Sequence, residues 1–283
     1  MIINVIGLGL IGGSICKALK EYTTHTVYGA DISYEILNRA KAQGVIDEIL
    51  TEDNYAEADV SFICLYPQTT MDFIDNNISA FKKNSIVCDV CGVKASVVEH
   101  VTRLTEKHNI RYVGAHPMAG KEFGGYDNST ERLFVGANFI ITPVPESDEN
   151  AVKQIALLAV EMGAGQIIKT SPENHDRIIA YTSQLAHIVS SAYVKSPTID
   201  FEMGYSGGSF QDMTRIATLN EDMWTSLFML NKLPLICEIS TLIENLSEYK
   251  ASLENCDCDK LKKLLQDGRI IKEKNLLKNP KSH

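Results

Sequence analysis

The sequence predicts an α/β protein in which a doubly wound parallel sheet is followed by an all-helical domain. Up to about residue 170, short β-branched runs alternate with helical patterns, as in parallel sheets that carry helices on both faces. Beyond that point strand signals become rare and apolar helical runs dominate. Because 283 residues exceed one typical domain, we predict two domains, 1–170 and 171–283.

The first strand, residues 2–6, runs directly into a glycine-rich turn and a helical pattern. The turn fits the spacing G-x-G-x-x-G. Its first glycine permits a tight turn, its second admits a pyrophosphate, and its third lets the helix pack closely on the strand. Glycine-rich turns also occur for purely structural reasons, but here the strand and helix that flank a Rossmann-type dinucleotide site are both present. The predicted cofactor residues of this turn are Gly7, Leu8, Gly9, Ile11 and Gly12.

The second strand, predicted over residues 25–31, ends in a carboxylate that selects the cofactor. Asp31 lies 19 residues after Gly12, where it can accept hydrogen bonds from an adenosine ribose diol. A carboxylate would repel a 2′-phosphate, and no arginine follows in residues 32–34, so NAD is favoured over NADP. Leu65, at the end of a strand predicted over residues 60–65, is expected to line the adenosine side of the cleft.

Further strands are predicted at residues 85–89, 111–115, 138–142 and 166–170. His116 follows the strand at 111–115, and Pro117 forbids a helix directly after it, so the ring is expected at a strand's carboxyl end. Ligands bind at that edge of an open parallel sheet. The small residues Gly114, Ala119 and Gly120 would leave room for a flat ligand. The alternative is a core histidine in a turn.

In the second half, Ser171 is predicted to cap a helix that has Pro172 at its first position. Helical runs are predicted at 174–194, 211–218, 221–231, 233–246 and 260–265. Pro234 should break or kink the apolar run that contains it.

Composition excludes several classes of function. A net charge of −9 argues against a nucleic-acid surface, which needs clustered Lys and Arg. No apolar run approaches the ~20 residues that span a bilayer, and Met1 leads directly into a strand pattern, so we expect a cytoplasmic protein that does not insert into membranes. The seven cysteines are expected to be free thiols. Cys88 and Cys91 form a C-x-x-C without a second pair or a histidine at metal spacing, so no metal site is predicted.

Several segments together resemble the prephenate dehydrogenase family. With Asp31 and Trp224, they are GLGLIGGS, GAHPMAGKE, ERLFVGANFIITP, SPENHDRIIAYTSQLAH and GGSFQDMTRIA, in the family's order. The resemblance implies NAD-dependent oxidative decarboxylation of prephenate, or of its amino analogue arogenate, in tyrosine biosynthesis. It also implies a homodimer formed through the helical domain and an active site in the cleft between the domains.

The resemblance also assigns roles to residues. His116 matches the family's catalytic histidine, which accepts the ring hydroxyl proton. Arg215 matches the arginine that binds a substrate carboxylate, and His187 a second histidine at the substrate, as a hydrogen-bond donor or orienting group. Glu122 and Trp224 match positions in the substrate pocket.

The sequence departs from the family pattern at two places near these residues. Many relatives have a serine that hydrogen-bonds the catalytic histidine where this chain has Gly92, so another group must orient His116, and the roles of Lys94 and Ser96 are open. The helix motif SQLAH places Gln184 and Ala186 where many members have other residues.

Three alternatives remain open from the sequence. Arogenate could be the preferred substrate. A β-hydroxyacid dehydrogenase or imino-acid reductase would also join a nucleotide domain to a helical one, although such enzymes usually lack a histidine placed like His116. A non-enzymatic dinucleotide-responsive regulator would not need both His116 and Arg215.

Overall fold

The computed structural model describes residues 1–278, in which eight strands form one sheet. The strands are β1 (Ile2–Ile6), β2 (Thr26–Ala30), β3 (Glu48–Ile49), β4 (Val60–Ile63), β5 (Ile86–Asp89), β6 (Arg111–Pro117), β7 (Asn138–Ile141) and β8 (Gln166–Lys169). They are arranged in the order β3-β2-β1-β4-β5-β6-β7-β8. The strand order reverses between β1 and β4, and such a reversal creates the crevice in which doubly wound proteins bind their ligands.

Helices connect most of the strands and make up the rest of the regular structure. Those of the sheet-bearing part are α1 (Leu10–Tyr22), α2 (Tyr34–Ala42), α3 (Pro67–Asn77), α4 (Ala95–His108) and α5 (Glu149–Glu161). Those that follow are α6 (Pro172–Ile179), α7 (Leu185–Tyr193), α8 (Gly208–Thr214), α9 (Glu221–Leu230), α10 (Lys232–Glu254) and α11 (Cys258–Lys278). No strand follows β8 within the described residues, so the predicted fold class is confirmed.

The sheet is not parallel throughout. β1 to β6 pair in parallel, β7 runs antiparallel to β6, and β8 is again parallel to β7. The segment between β6 and β7 contains a 3-10 turn at Tyr126–Asn128 and no α-helix. A parallel crossover normally needs a helix, and without one the chain returns antiparallel. The predicted doubly wound parallel sheet is thus confirmed as a mostly parallel one, with a single antiparallel pair, β6 and β7. The two-residue β3 was not predicted.

The core forms two layers, one on each face of the sheet. Alternate residues of β1 point to opposite faces of the sheet. Val5 lies in the same core layer as Ile15 of α1, and Ile6 lies in the other layer with Ile74 of α3. These side chains are at most 3% exposed, and each fully buried aliphatic side chain contributes about 1.5–3 kcal/mol. The two layers hold the carboxyl ends of the strands in a fixed arrangement.

The helical part begins as predicted. The Ser171 hydroxyl accepts a hydrogen bond from the backbone N–H of Asn174, and Pro172 is the first residue of α6. The helix predicted over 174–194 is divided, because residues 180–184 form a π-helical segment between α6 and α7. Pro234 lies in the first turn of α10, where its missing N–H has no intrahelical acceptor to lose. The apolar run that was predicted to break is divided between α9 and α10, and α10 itself continues through Pro234.

Two compact units are present, one ending at Lys232 and the other beginning at Leu233. The first unit contains the whole sheet together with α6 to α9, and the sheet ends at Lys169, beside the predicted domain boundary. In the described residues, no single helix is long and apolar enough to cross a membrane; only the bent pair Glu221–Leu230 and Lys232–Glu254 meets that length and composition when taken together.

Candidate active site

The glycine turn after β1 has the shape that a dinucleotide site requires. Gly7 has a φ of +91°, a conformation that side chains other than glycine rarely adopt. A Cβ at Gly12 would lie 1.9 Å from the carbonyl oxygen of Gly7, so close packing of α1 on β1 requires glycine there. At Gly9 no atom lies within 4 Å of the Cβ position. The surface above Gly9 is therefore open to an approaching pyrophosphate.

The other predicted cofactor residues surround this turn. No side chain caps the amino terminus of α1 in the described structure, so its first N–H groups can meet phosphate charge. The Asp31 carboxylate accepts hydrogen bonds from the backbone N–H groups of Leu8, at 2.7 Å, and Ser33, at 2.9 Å. The Leu8 side chain is fully buried, Ile11 packs partly against the core, and Leu65 lies beside Gly7.

His116 lies at the carboxyl end of β6, in the same sheet edge as the glycine turn. The strand extends two residues beyond the predicted end, through His116 and Pro117, because β7 pairs with it there: His116 is opposite Ile140. Pairing on this side fixes the backbone from which the ring projects. The side chain is partly buried.

Gly114 does not leave room for a ligand, contrary to the prediction. A Cβ at this position would lie 2.7 Å from Thr142 Oγ1 and 2.8 Å from Val98 Cγ2. The glycine is needed to pack β6 against these two side chains. Gly120 has no neighbouring atom within 4 Å of its Cβ position, so open space does lie further along this loop.

The ring of His116 contacts a second histidine that was not predicted. His116 Nδ1 lies 2.9 Å from His175 Nε2, and His175 Nδ1 lies 2.7 Å from Asp176 Oδ1. The Asp176 carboxylate also accepts hydrogen bonds from the backbone N–H groups of Lys94 and Ala95, each at 2.8 Å. These two groups form the amino terminus of α4, where a negative charge is favourable. The three side chains therefore form one hydrogen-bonded row from β6 to α6.

The surroundings of His116 favour its neutral form. Burial lowers the pKa of His116 well below its ordinary value of 6.5, and the neighbouring His175 and Lys94 lower the pKa further. A neutral imidazole at neutral pH has one nitrogen available to accept a proton. The electrostatics thus suit a general base.

Lys94 stabilises the end of β6 beside His116. It is fully buried; its Nζ is paired with the Asp89 carboxylate and donates a 2.6 Å hydrogen bond to the carbonyl oxygen of Ala115. Asp89 also accepts a hydrogen bond from the Tyr112 hydroxyl. Lys94 therefore holds Ala115, the residue next to His116, in place. The Ser96 hydroxyl has no hydrogen-bond partner among the described residues.

Gly92 faces the other side of the histidine ring. A Cβ here would lie 3.8 Å from His116 Nε2 and 3.7 Å from Leu227 Cδ2, both ordinary contacts. Space therefore does not require glycine at this position. The contact also shows that α9, which carries Leu227, lies beside His116.

One turn earlier on α9, Trp224 brings His187 to the same region. The two rings have centroids 3.8 Å apart with an interplanar angle of 38°. His187 Nδ1 lies 3.2 Å from the carbonyl oxygen of Ile216, which makes Nδ1 the donor and leaves Nε2 as an acceptor in the neutral ring. Burial lowers the pKa of His187, the Ile216 hydrogen bond opposes this shift, and Arg215 adds to it.

Arg215 and Glu122 form an ion pair across the site. Arg215 Nη1 donates to Glu122 Oε1 at 3.2 Å, and the two side chains are 62% and 43% exposed. This joins the loop after β6 to the 3-10 turn after α8. Because the pair uses one guanidinium nitrogen, the remaining donors of Arg215 are available to an anionic ligand.

Gln184, one of the two departures from the family's helix motif, lies in a structural position. It is buried, and its Oε1 accepts a 2.8 Å hydrogen bond from Asn231 Nδ2, which also donates to the backbone carbonyl of Asp176. Asn231 is itself buried at the end of α9. These bonds tie α9 to α6 and to the π-helical segment.

The spacing of residues in α6 indicates that His175 and Asp176 face the core. The buried residues of α6 are Pro172, His175, Asp176 and Ile179. This spacing of three, one and three residues defines one helix face. Two ionisable residues on a core-facing stripe must find hydrogen-bonding partners, which marks them as candidates for a buried network.

Cys88 and Cys91, the two residues of the C-x-x-C, are buried thiols. Within residues 1–278, no three His, Cys, Asp or Glu side chains are placed to hold a metal ion. All seven cysteines are free, and burial raises the pKa of both Cys88 and Cys91, which disfavours their reactive thiolate form. A groove of about 320 Å³ beside α4 does not include His116, and four of its ten lining residues are glutamates.

Comparison with known proteins identifies matching families and relatives. A family model described as prephenate dehydrogenase, nucleotide-binding domain, matches residues 15–168, and one described as prephenate dehydrogenase, dimerization domain, matches residues 171–267. The chain is 33% identical over 270 residues to a cyclohexadienyl dehydrogenase of Zymomonas mobilis, covering 92% of this chain and 90% of that protein.

Two solved structures have the same fold over nearly their whole length. The prephenate dehydrogenase of A. aeolicus in complex with hydroxyphenyl propionate and NAD+ is 26% identical, with a TM-score of 0.87 and coverage of 97% of this chain and 98% of that one. The arogenate dehydrogenase of Synechocystis is 25% identical, with a TM-score of 0.83 and coverage of 97% and 100%. The two family models together match most of the chain, and the Zymomonas mobilis relative is similar over nearly its whole length. The chain therefore belongs to the prephenate dehydrogenase family, whose members are oxidoreductases with a Rossmann-like nucleotide-binding domain.

Proposed function

We propose that this protein catalyses the NAD-dependent oxidative decarboxylation of prephenate to 4-hydroxyphenylpyruvate in tyrosine biosynthesis. The observation that carries the proposal is the position of His116 at the carboxyl edge of a nucleotide-binding sheet, where Nε2 lies beside Gly92 and burial lowers the pKa of the ring. Membership in the family supports the reaction class. It also leaves the alternatives of a β-hydroxyacid dehydrogenase, an imino-acid reductase or a non-enzymatic regulator without support.

His116 acts as the base and then as the acid of the reaction. The ring hydroxyl of prephenate loses its proton to the imidazole as its carbon loses a hydride and gains carbonyl character. Release of the ring carboxylate as carbon dioxide leaves its bonding electrons in the ring, which becomes aromatic. The proton then returns to the phenol oxygen, so His116 ends in its starting state.

The glycine turn and Asp31 bind the cofactor, which accepts the hydride when bound. Gly9 leaves the turn open to the pyrophosphate, and the amino terminus of α1 faces it. The Asp31 carboxylate at the end of β2 is placed for the ribose diol and would repel a 2′-phosphate. These features support NAD as the cofactor in preference to NADP.

Arg215, His187, Glu122 and Trp224 hold the substrate. Prephenate carries two carboxylates, and in an acidic protein a fixed cation must receive at least one of them. Arg215 can do so through the donors that Glu122 does not use. Trp224 stacks on His187 and fixes the orientation of that ring.

Arogenate is the second candidate substrate, and the hydrogen bonding of His187 supports it. The neutral ring donates from Nδ1 to Ile216 and offers an acceptor at Nε2. An acceptor suits the ammonium group of arogenate better than the keto oxygen of prephenate. The arogenate dehydrogenase of Synechocystis is also among the similar structures.

We also infer that residues 171–283 act as the substrate and dimerisation domain and that the protein is a homodimer. The match of residues 171–267 to a dimerization domain supports this. Residues 1–170 then act as the nucleotide-binding domain, with His116 contributed from its sheet.

The decisive experiment is a parallel assay of the purified protein. Reduced cofactor is followed at 340 nm, with prephenate or arogenate as substrate and NAD or NADP as cofactor. We expect the highest kcat/KM with prephenate and NAD. A higher value with arogenate would transfer the assignment to the second candidate, a preference for NADP would contradict the role of Asp31, and no turnover of either substrate would remove the proposed function.

A further inference from the structure

We propose that His175, held by Asp176, is a positioning residue that selects the Nδ1–H tautomer of His116 and so leaves Nε2 as the proton acceptor. The inference rests on the proposed function, because it explains how the base of that reaction is oriented. His175 acts at Nδ1, the ring nitrogen opposite the one that lies beside Gly92, where many relatives carry a serine.

The Asp176 carboxylate has no proton to donate, and this determines which nitrogen of each histidine ring carries a proton. The Asp176 carboxylate is an acceptor, already receiving two backbone N–H groups. His175 Nδ1 must therefore donate to it, which leaves His175 Nε2 as an acceptor in the neutral ring. His116 Nδ1, 2.9 Å away, must then donate to that nitrogen. Nε2 of His116 carries the free lone pair.

The row is held by α6, by the amino terminus of α4 and by Asn231 at the end of α9. His175 is 1% exposed and Asp176 is 3% exposed, so neither side chain can turn to water. Asp176 is fixed on one side by the amino terminus of α4 and on the other by Asn231, which donates a 2.8 Å hydrogen bond to its carbonyl oxygen. A histidine ring held in this way positions its neighbour more firmly than a solvated group could.

The arrangement also gives His116 a hydrogen-bond partner at Nδ1 while the ring carries a proton during the reaction. When Nε2 takes the hydroxyl proton, the ring becomes a cation in a buried position that disfavours charge. The Nδ1–H hydrogen bond to His175 becomes charge-assisted and stronger, and the Asp176 carboxylate lies at the far end of the row. A packing role alone would give neither effect.

Two substitutions separate positioning from packing. His175→Phe fills the space but removes the acceptor, whereas His175→Gln can place an amide oxygen near the former Nε2 position. We expect His175→Phe to lower kcat by roughly 10–100-fold with KM for prephenate little changed, as is typical when a partner of a catalytic histidine is lost. His175→Gln should retain most of kcat. His100→Gln, at a surface histidine on α4, is the matched control and should retain wild-type kinetics.

The tautomer itself can be read without turnover. In protein labelled with 15N-histidine, the His116 ring should show a protonated Nδ1 and an unprotonated Nε2 near pH 7.5, and His116→Asn assigns the signals. His175→Phe should shift His116 toward the Nε2–H form. His175→Gln should not.

Two results would overturn the inference: a protonated Nε2 on His116 in the wild-type protein, or equal kinetics in the Phe and Gln variants with an unchanged His116 spectrum. If His175→Phe does not fold, the wild-type spectrum and the Gln variant still decide. Because the spectrum needs neither substrate nor cofactor, it tests His175 even if the wild-type protein turns over neither prephenate nor arogenate, a result that would remove only the proposed function.

Discussion

At the scale of single residues, the acid–base behaviour of His116 is determined by its neighbours. Burial, His175 and Lys94 all lower the pKa of this ring, while Lys94 is itself paired with Asp89 and His175 with Asp176. The Asp89 and Asp176 carboxylates thus pair with Lys94 and His175, and neither contacts His116 directly. The ring remains neutral, and therefore basic, at neutral pH.

This predicts the pH dependence of turnover. A base with a lowered pKa stays unprotonated as the pH falls, so kcat/KM for prephenate at saturating NAD should remain level down to about pH 6.5 and decrease only below it, with unit slope. The stability changes with the same sign: below 6.5 the unfolded chain binds the proton first, so the unfolding free energy decreases as the pH falls. Initial rates from pH 5 to 8, with recovery of activity on return to pH 7.5, test this. An acid limb above pH 6.5 would contradict it.

His116 and Arg215 should fail in different ways when replaced. His116→Asn removes the proton acceptor, so kcat should decrease ~10²-fold or more with limited change in KM. Arg215→Ala removes a contact present in both ground and transition states, so KM for prephenate should increase and kcat change little. Steady-state kinetics of both variants provide the comparison, with Arg215→Lys showing how much of the effect is charge alone. Similar, mild effects in both would mean that the assigned roles are wrong.

At the scale of elements, the site depends on how short segments are joined. The antiparallel β7 extends β6 far enough to fix His116, and α6 brings a buried His-Asp pair to meet it. The π-helical segment then lets Gln184 bind Asn231 before α7 begins. Wide helical turns of this kind are frequent near functional sites, where they reposition the side chains that follow.

The glycine turn offers a matched pair of substitutions. Gly9→Ala adds a methyl group in open space, so the unfolding free energy should change by less than about 1 kcal/mol, while affinity for NAD should fall roughly tenfold or more because the methyl group occupies the pyrophosphate's approach. Gly12→Ala places its methyl group against the Gly7 carbonyl and should cost about 1–3 kcal/mol of stability. Denaturant unfolding and calorimetric titration with NAD measure both. Unimpaired NAD binding by the Gly9 variant would argue against a cofactor at this turn.

At the scale of the whole molecule, α10 has an apolar stripe that is exposed in the single chain. Its residues recur at intervals of three and seven, which places them on one side of the helix. They are between 57% and 73% exposed: Leu233, Ile236, Ile243, Leu246 and Leu253. An apolar stripe of this kind is typical of a surface that is covered by another protein. Together with the matched dimerization domain, it identifies α10 as part of the proposed dimer interface.

Sedimentation analysis of the full chain should therefore give about twice the monomer mass of 31.3 kDa. Ile243→Lys places a charge within the stripe and should weaken the dimer at least tenfold in its dissociation constant, because a charge in an interface core is desolvated. Glu248→Lys, on another side of α10, is the control and should leave the dimer intact. A monomeric wild-type protein, or equal effects of the two substitutions, would place the interface elsewhere.

The sequence alone determined the features that depend on local patterns. The glycine spacing of the first turn, the alternation of strands and helices, the cap at Ser171 and the position of His116 at a strand end all follow from residues close together in the chain. Local sterics and hydrogen bonding decide such features, so they can be read without knowing what packs against them. The family resemblance added His187, Arg215, Glu122 and Trp224, whose roles remain proposals.

Only the tertiary structure decided what surrounds His116. Its partner His175 is 59 residues away in the sequence, and Asp176 reaches the amino terminus of α4, more than 80 residues earlier. No periodicity indicates which two buried polar groups will meet, because that depends on how α6 packs against the edge of the sheet. The sequence shows that Gly92 offers no hydroxyl on the Nε2 side of His116; only the packing of α6 places His175 on the Nδ1 side.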